Sequence, residues 1–275
     1  MTLGIHSSSL SSRPGKRLTP FLFALAIFLC GSLLRPTLSL AQPPTPLRIA
    51  AAADLQPVLP PILAEFERQT AIHAEATYQA SAALTTQIQN GAPFDLFLSA
   101  DTSYPTRLIA AGLADSTTPT LYARGTLVLW TRSDSHWPTP TLATLRDPAL
   151  QRLAIANPDR APYGKAAISA IARLRLADIL RPKLVSAENI SQAAQFAETG
   201  NAEAGLISLT SAMTPHLRAI GSWFVLPRDL YPPIEQAGVV LASSKQRTQA
   251  HRFLDFLLSA PVQQTLATSG LTPVR

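Results

Sequence analysis

Residues 81–101 read Ser-Ala-Ala-Leu-Thr-Thr-Gln-Ile-Gln-Asn-Gly-Ala-Pro-Phe-Asp-Leu-Phe-Leu-Ser-Ala-Asp, and this is the most informative stretch of the sequence. It predicts a helix with Ser81 as its N-cap, a turn at Gly91–Pro93, a buried strand over Phe94–Leu98 and a second helix capped by Asp101. A serine at a helix N-terminus offers free N–H groups and the positive end of the helix dipole to an anion. The stretch therefore indicates a binding site rather than a catalytic one.

Strand-like and helix-like segments alternate along the rest of the chain, which predicts an α/β architecture. Further strands are expected at Leu47–Ala53, His73–Tyr78, Thr126–Thr131, Leu153–Ala156, Leu184–Ser186, Gly205–Ser208 and Ala237–Ala242. Further helices are expected from near Pro60 to Gln69, over Pro162–Leu176 and Ile190–Thr199, and from about Lys245 to Leu258. The last of these helices is expected to finish the chain.

The N-terminus has the pattern of a secretory signal peptide. A basic region at residues 13–17 precedes an apolar run over Phe21–Leu34 and a small-residue cleavage site at Ser39–Ala41. The apolar run is short for a membrane span, so a retained anchor is the less favoured alternative. We expect residues 1–41 to be removed on export to the periplasm, and residues 42–46 to form an unstructured leader.

Removal of this segment changes the charge and the cysteine content. The whole chain has a formal net charge of +6, and residues 1–41 carry four basic side chains and no acidic one, which leaves +2. This small charge gives little support for a nucleic-acid partner. The one cysteine, Cys30, leaves with the segment, which excludes disulfides, thiol catalysis and thiolate metal sites.

Four places in the mature sequence share one design, in which a short strand ends in small or polar residues and a helix begins. They are Ala53-Asp54, Ala80-Ser81, Ala161–Gly164 and Glu188–Ser191. Each would direct free N–H groups from the carboxyl end of a sheet, where open α/β folds bind their ligands. Ordinary helix capping remains the alternative explanation for each place taken alone.

Several longer motifs occur together with these helix starts. They are Ile49–Leu55, Gln87–Asp101, Leu153–Pro158, Ala161–Gly164, Gln195–Gly205, Tyr231–Ile234 and Ala237–Val240. With these motifs the chain resembles the periplasmic molybdate/tungstate-binding proteins of ABC importers over nearly all of its mature length. The resemblance implies a non-enzymatic, monomeric binding protein that delivers its ligand to a membrane permease, with no cofactor, catalytic residue or cation ligand.

The fold that the resemblance implies is the two-lobe type II periplasmic-binding-protein fold, with the ligand in the cleft between two α/β lobes. Two hinge crossovers are expected, near Arg124–Leu127 and Trp223–Leu226. Residues 47–125 and 226–275 would then form the first lobe, and residues 126–225 the second.

The resemblance also implies a tetrahedral oxyanion held by neutral hydrogen-bond donors. The expected contacts are the backbone of Ala53 and Asp54, the hydroxyl and N–H of Ser81, and the N–H groups of Tyr163 and Ile190. A site without acceptors favours a fully deprotonated anion, because the proton of a hydrogen phosphate would be buried without a partner. Asp54 departs from the Ser, Thr or Asn of many family members, and we expect its carboxylate to turn away as a local cap.

Other functions receive less support from the residues. A binding protein for another oxyanion such as sulfate is the main alternative, and an exported enzyme that reuses the fold is a weaker one, because the chain has no Gly-x-Ser-x-Gly elbow. Asp95 and Asp101 are expected to have structural roles. A metal site is disfavoured because the histidines of the mature chain are scattered, at His73, His136, His216 and His251.

Overall fold

The structure is a computed structural model that describes residues 45–274. The predicted signal peptide, its cysteine and most of the leader lie outside the described residues, and what we expect of them stays a prediction. Within the described part, no helix has the length and apolar character that crossing a membrane requires.

Strands and helices alternate through most of the described chain. The strands are β1 (Leu47–Ala52), β2 (Ala74–Gln79), β3 (Leu96–Ser99), β4 (Thr120–Gly125), β5 (Leu127–Arg132), β6 (Leu153–Ala156), β7 (Leu184–Ala187), β8 (Ala204–Ser208), β9 (Gly221–Val225), β10 (Ile234–Val240) and β11 (Thr272–Pro273). The α-helices are α1 (Leu59–Thr70), α2 (Ser81–Gln89), α3 (Ser103–Ala110), α4 (Pro162–Arg173), α5 (Ala177–Leu180), α6 (Ile190–Glu198), α7 (Leu209–Ala212), α8 (Pro215–Ile220), α9 (Arg247–Leu257) and α10 (Ala260–Thr268). Short 3-10 turns lie at Ala53–Leu55, Leu142–Arg146, Arg181–Lys183 and Arg228–Leu230.

The strands form two mixed sheets, and each sheet is the centre of one lobe. In the first lobe the order is β11-β4-β10-β3-β1-β2, with β1 parallel to β2 and β3, and β10 antiparallel to β3 and β4. In the second lobe the order is β7-β6-β8-β5-β9, with β6 parallel to β7 and β8, and β5 antiparallel to β8 and β9. The α/β two-lobe fold expected from the sequence is confirmed.

The chain passes between the lobes in two places. β4 ends at Gly125 in the first sheet and β5 begins at Leu127 in the second, so Thr126 alone separates them. The return runs from the end of β9 at Val225 to the start of β10 at Ile234. Both passages are short connections, of the kind that can act as hinges between two lobes.

The core follows from strands that are apolar on both faces, as is expected for sheets covered by helices on both sides. Along β1, Ile49 packs with Phe66 of α1 and Phe253 of α9 on one face of the first sheet. The adjacent Ala50 packs with Leu84 of α2 on the opposite face. A separate apolar cluster around Trp130 of β5 fills the second lobe.

Some predicted boundaries were wrong. The helix predicted over Pro162–Leu176 ends at Arg173, and Arg175 adopts a left-handed backbone with φ of 58°. The helix near Leu258 does not finish the chain, because α10 and β11 follow and β11 pairs with β4. The strands β4 and β9 were not predicted. By contrast, α1 begins at Leu59 and keeps its prolines in the first turn, where a missing N–H costs little.

Candidate functional site

The structure brings all five predicted contact residues together around one cavity between the lobes. Ala53, Asp54, Ser81, Tyr163 and Ile190 all line it, and the empty space at this site, open solvent included, is about 200 Å³. The remaining lining residues are Ala52, Gln79, Ala80, Ala100, Ala161, Pro162 and Asn189. That these residues bind an anion stays a prediction.

The cavity lies where the carboxyl ends of parallel strands meet helix starts. In the first lobe, β1 and β2 end side by side at the pair Ala52–Gln79, and the 3-10 turn and α2 follow them. In the second lobe, β6 and β7 end at the pair Ala156–Ala187, and α4 and α6 follow. The two lobes therefore face each other through the edges at which α/β sheets bind ligands.

A glycine lets α4 begin close to its strand. A Cβ at Gly164 would lie 2.3 Å from the carbonyl oxygen of Ala156, which no side chain tolerates. This close approach holds the first turn of α4 against the end of β6, and the residues at this helix start, Ala161, Pro162 and Tyr163, line the cavity.

Three α-helix N-termini are directed to the cavity, those of α2, α4 and α6. The first-turn N–H groups of Ser81, Tyr163 and Ile190 donate to no backbone or side-chain acceptor among residues 45–274. Free N–H groups at a helix N-terminus carry a partial positive charge, and they attract anions. The arrangement thus provides several aligned donors from separate elements.

Ser81 is not the N-cap of α2, and that prediction was wrong. Ala80 occupies the N-cap position, because it continues the extended backbone of β2, and its carbonyl accepts the N–H of Leu84 at 3.1 Å. Ser81 is the first residue of the helix and is 1% exposed. Its Oγ accepts the N–H of Ala100 at 3.2 Å, and among residues 45–274 no acceptor takes the proton of this hydroxyl. The hydroxyl therefore has a proton to donate to a ligand.

Asp54 is not a local cap either, so this prediction is also corrected. The 3-10 turn at Ala53–Leu55 has no side-chain cap, and the Asp54 carboxylate is fully buried. Its Oδ2 accepts hydrogen bonds from the Tyr163 hydroxyl at 3.0 Å and from Nε2 of Gln236. Burial raises the pKa of Asp54 to about 6, although the hydrogen bonds from Gln236 and Tyr163 act to lower it.

Several hydrogen bonds join the two lobes around the cavity. Besides the bond from Tyr163 to Asp54, the hydroxyl of Ser191 donates to the carbonyl oxygen of Ala53 at 2.9 Å. The hydroxyl of Thr210 donates to the carbonyl oxygen of Asp54 at 2.8 Å. The lobes are thus in contact along the cleft, which is the closed arrangement of a two-lobe binding protein.

The cavity has no cationic side chain among its lining residues, of which only Asp54 and Tyr163 are titratable. Lys165, two residues after Tyr163 on α4, carries a positive charge. Its Nζ lies 5.1 Å from the ring centroid of Tyr104 on α3, which is a cation–π contact between the lobes. An anion in the cavity would therefore be held by N–H and O–H dipoles rather than by an ion pair.

The other polar residues weighed from the sequence have structural surroundings. Asp95 accepts the N–H of Arg48 at 2.9 Å and the hydroxyl of Ser244 at 2.6 Å, and Asp101 accepts the N–H of Ser103 near the start of α3. The four histidines each lie near an acidic side chain on the surface. Over residues 45–274, no group of three or more His, Cys, Asp or Glu side chains could hold a metal ion.

Sequence reasoning missed Gln236 and Thr210, which contact Asp54, and it included Ser191 in a candidate helix start without predicting its contact with Ala53. Gln236 follows Glu235 near the start of β10, directly before the apolar run Ala237–Val240, and only the structure shows that its side chain is fully buried. Ser191 and Thr210 lie in the first turns of α6 and α7, and nothing local separates them from ordinary helix-start residues.

Comparison with known proteins gives a consistent result. The model of a family described as bacterial extracellular solute-binding protein matches residues 47–272. The molybdate-binding protein ModA of Azotobacter vinelandii is 34% identical over 81% of this chain and 88% of its own length. ModA of Rhodobacter capsulatus is 37% identical over 80% of this chain and 86% of its own length.

A solved structure agrees with these sequence relatives. The periplasmic molybdate-binding protein of Azotobacter vinelandii superimposes with a TM-score of 0.79 at 27% identity, over 83% of this chain and 100% of that chain. The chain therefore belongs to the bacterial extracellular solute-binding protein family, in the group that includes the molybdate-binding proteins.

Proposed function

We propose that this protein captures molybdate or tungstate in the cleft between its lobes and delivers the anion to the membrane permease of an ABC transporter. The observation that carries the proposal is the convergence of three α-helix N-termini on one small cavity without a lining cation. Membership of a solute-binding family makes the chain a binding protein and not an enzyme.

The donors around the cavity suit a tetrahedral dianion. In this proposal the N–H groups of Ser81, Tyr163 and Ile190 and the hydroxyl of Ser81 donate to the anion, together with the backbone at Ala53 and Asp54. Hydrogen bonds to a charged acceptor are roughly twice as strong as those between neutral groups. Several such bonds offset the cost of removing a dianion from water without a lysine or arginine in the site.

Selectivity would rest on size and on protonation. Sulfate is the alternative ligand, since it has the same shape and charge as molybdate, and the cavity volume alone does not favour either anion. Phosphate differs, because it carries a proton near neutral pH. Its selection would require an acceptor for that proton. Oδ2 of Asp54 already accepts two hydrogen bonds, whereas Oδ1 has no partner among residues 45–274, so the response to phosphate tests whether Oδ1 faces the anion.

Delivery would follow from opening and closing of the cleft. We propose the lobe boundaries predicted from the sequence, 47–125 with 226–275 and 126–225, so that the lobes rotate about Gly125–Leu127 and the return passage before β10. Cleavage after residue 41, release into the periplasm as a monomer, and docking of the closed form on a permease complete the proposal.

Calorimetric titration of residues 42–275 with molybdate, tungstate, sulfate and phosphate tests this function. We expect saturable one-to-one binding of molybdate and tungstate at micromolar concentrations or below, and much weaker heats with phosphate. Saturation by sulfate with no response to molybdate would establish the alternative, and the absence of saturable heat with all four anions would refute the proposal.

A further inference from the structure

A buried polar cluster joins the two lobes next to the cavity. Asp54 follows β1 in the first lobe, Gln236 lies on β10 in the same lobe, and Tyr163 lies on α4 in the second lobe. Asp54 and Gln236 are 0% exposed and Tyr163 is 1% exposed. Bulk water therefore neither screens a charge in this cluster nor forms hydrogen bonds with its unpaired polar atoms.

The cluster has fewer donors than its oxygens require. Oδ2 of Asp54 accepts from both Tyr163 and Gln236, but Oδ1 of Asp54 has no hydrogen-bond partner among residues 45–274. Oε1 of Gln236 is also buried without a partner in the same part of the chain. An ionised carboxylate can only accept, whereas a protonated carboxyl group also donates. One added proton would therefore remove the buried charge and turn the carboxylate into a group that donates as well as accepts.

The groups that face Asp54 do not supply a compensating charge. Tyr163 on α4 and Tyr122 on β4 are phenols whose pKa values burial raises well above the usual value, so both are neutral. Tyr231, before β10, lies next to Tyr163 in the same buried region, and its hydroxyl accepts the N–H of Leu127 at 3.1 Å. Over residues 45–274, no Lys, Arg or His lies within 4.0 Å of the carboxylate, and burial raises the pKa of Asp54 to about 6.

We propose that Asp54 takes up a proton when the cleft closes, so that capture of the oxyanion is coupled to proton binding. This inference rests on the proposed function. When the lobes separate, Tyr163 leaves Asp54 and water reaches the carboxylate, which then ionises as an ordinary aspartate does. When they close on a dianion, the added negative charge in the cavity favours the neutral carboxyl group further.

The direction of the pH dependence follows from linkage. The closed form binds more protons than the open form, so closure, and with it anion affinity, strengthens as the pH falls towards the ordinary aspartate value. Well above the pKa of the closed form, Asp54 is ionised in both forms, and affinity changes no further with pH. With an ordinary aspartate pKa in the open form and a pKa of about 6 in the closed form, which a bound dianion raises further, we expect affinity to rise severalfold from pH 8 to pH 5.5.

Calorimetric titration with molybdate at pH 5.5 and pH 8, in paired buffers of different ionisation enthalpy, measures this coupling. We expect uptake of a large fraction of one proton per anion at pH 5.5 and much less at pH 8. The variant Asp54→Asn keeps an acceptor for Tyr163 and cannot ionise, so it should lose the proton uptake that Asp54 supplies. Any uptake that remains in this variant belongs to molybdate itself. Asp101→Asn, an aspartate outside the cavity, is the matched control and should keep the wild-type pH profile.

The outcomes separate the two proposals. Molybdate binding without proton uptake, and with the same pH profile in wild type and Asp54→Asn, would overturn the role of Asp54 and leave the proposed function intact. No molybdate binding at either pH would overturn the proposed function and this inference together. Proton uptake can be measured on the wild-type protein without any variant. The role of Asp54 can therefore be tested even if a variant fails to fold.

Discussion

The hydroxyl of Tyr163 in the second lobe donates a 3.0 Å hydrogen bond to Oδ2 of Asp54 in the first lobe. The two residues are 109 positions apart in the sequence, and both line the cavity that lies between the lobes. Tyr163 also carries one of the free N–H groups at the start of α4. Tyr163 thus takes part in the proposed anion site through its backbone N–H and in the contact between the lobes through its hydroxyl.

Removal of the Tyr163 hydroxyl should weaken the closed form without removing a donor to the anion. Tyr163→Phe keeps the backbone N–H and the ring but deletes the bond to Asp54, so we expect molybdate affinity to fall by about 1–2 kcal/mol. Most of the change should appear as faster dissociation in stopped-flow measurements. Tyr78→Phe, on a partly buried tyrosine of β2 outside the cavity, is the control and should bind as wild type. Equal dissociation rates for Tyr163→Phe and wild type would exclude this role.

The hydroxyl of Ser81 should contribute directly to anion binding. Ser81→Ala removes a buried O–H donor, and we expect affinity to fall by about 1.5–3 kcal/mol, since the anion then lacks a charge-assisted hydrogen bond. Ser103→Ala provides the control, because Ser103 is also the first residue of its helix but is exposed and outside the cavity. Calorimetry that gave both variants the wild-type affinity would place the anion elsewhere.

A side chain at Gly125 should displace Tyr163. A Cβ at this position would lie 2.3 Å from the Tyr163 hydroxyl oxygen and 3.0 Å from a methyl group of Ile234. We expect Gly125→Ala to lower the free energy of unfolding by about 1–3 kcal/mol through overpacking, and to weaken anion binding. In the double variant with Tyr163→Phe, the loss of the hydroxyl should relieve part of the clash. Strictly additive effects of the two substitutions would contradict the contact.

The hydrogen bond from Ser191 to Ala53 should contribute to closure from a second side of the cavity. Ser191→Ala deletes a 2.9 Å bond between the lobes while it leaves the backbone donors at the start of α6 in place. We expect a loss of affinity of about 0.5–1.5 kcal/mol by calorimetry. Ser186→Ala on β7, which is exposed, is the control. A loss equal to that of Ser81→Ala would instead argue that Ser191 contacts the anion.

Local sequence patterns were sufficient to predict much of the fold and the location of the cavity. The apolar runs Ile49–Ala52 of β1, Leu96–Leu98 of β3 and Leu153–Ala156 of β6 mark strands buried on both faces, and β6 was predicted with the bounds that it has. The five site residues were predicted from a resemblance and from helix starts that follow strands. They meet because parallel strands place those starts at one edge of each sheet.

The contacts across the lobes could not be predicted from local patterns. Gln236 meets Asp54 over 182 residues, and no periodicity specifies which buried polar side chains pair over such a separation. The roles of Ser81 and Asp54 were misassigned for a related reason. Capping preferences describe isolated helix ends, whereas Ala80 is fixed by β2 and the Asp54 carboxylate by partners elsewhere in the chain.

A crystal structure of the mature protein grown with molybdate would locate the anion directly. We expect the anion in the cavity between the lobes, with its oxygens within about 2.7–3.2 Å of the N–H groups of Ser81, Tyr163 and Ile190 and of the Ser81 hydroxyl, and with no lysine or arginine in contact. An anion bound outside this cavity, or held there by a cationic side chain, would contradict this expectation.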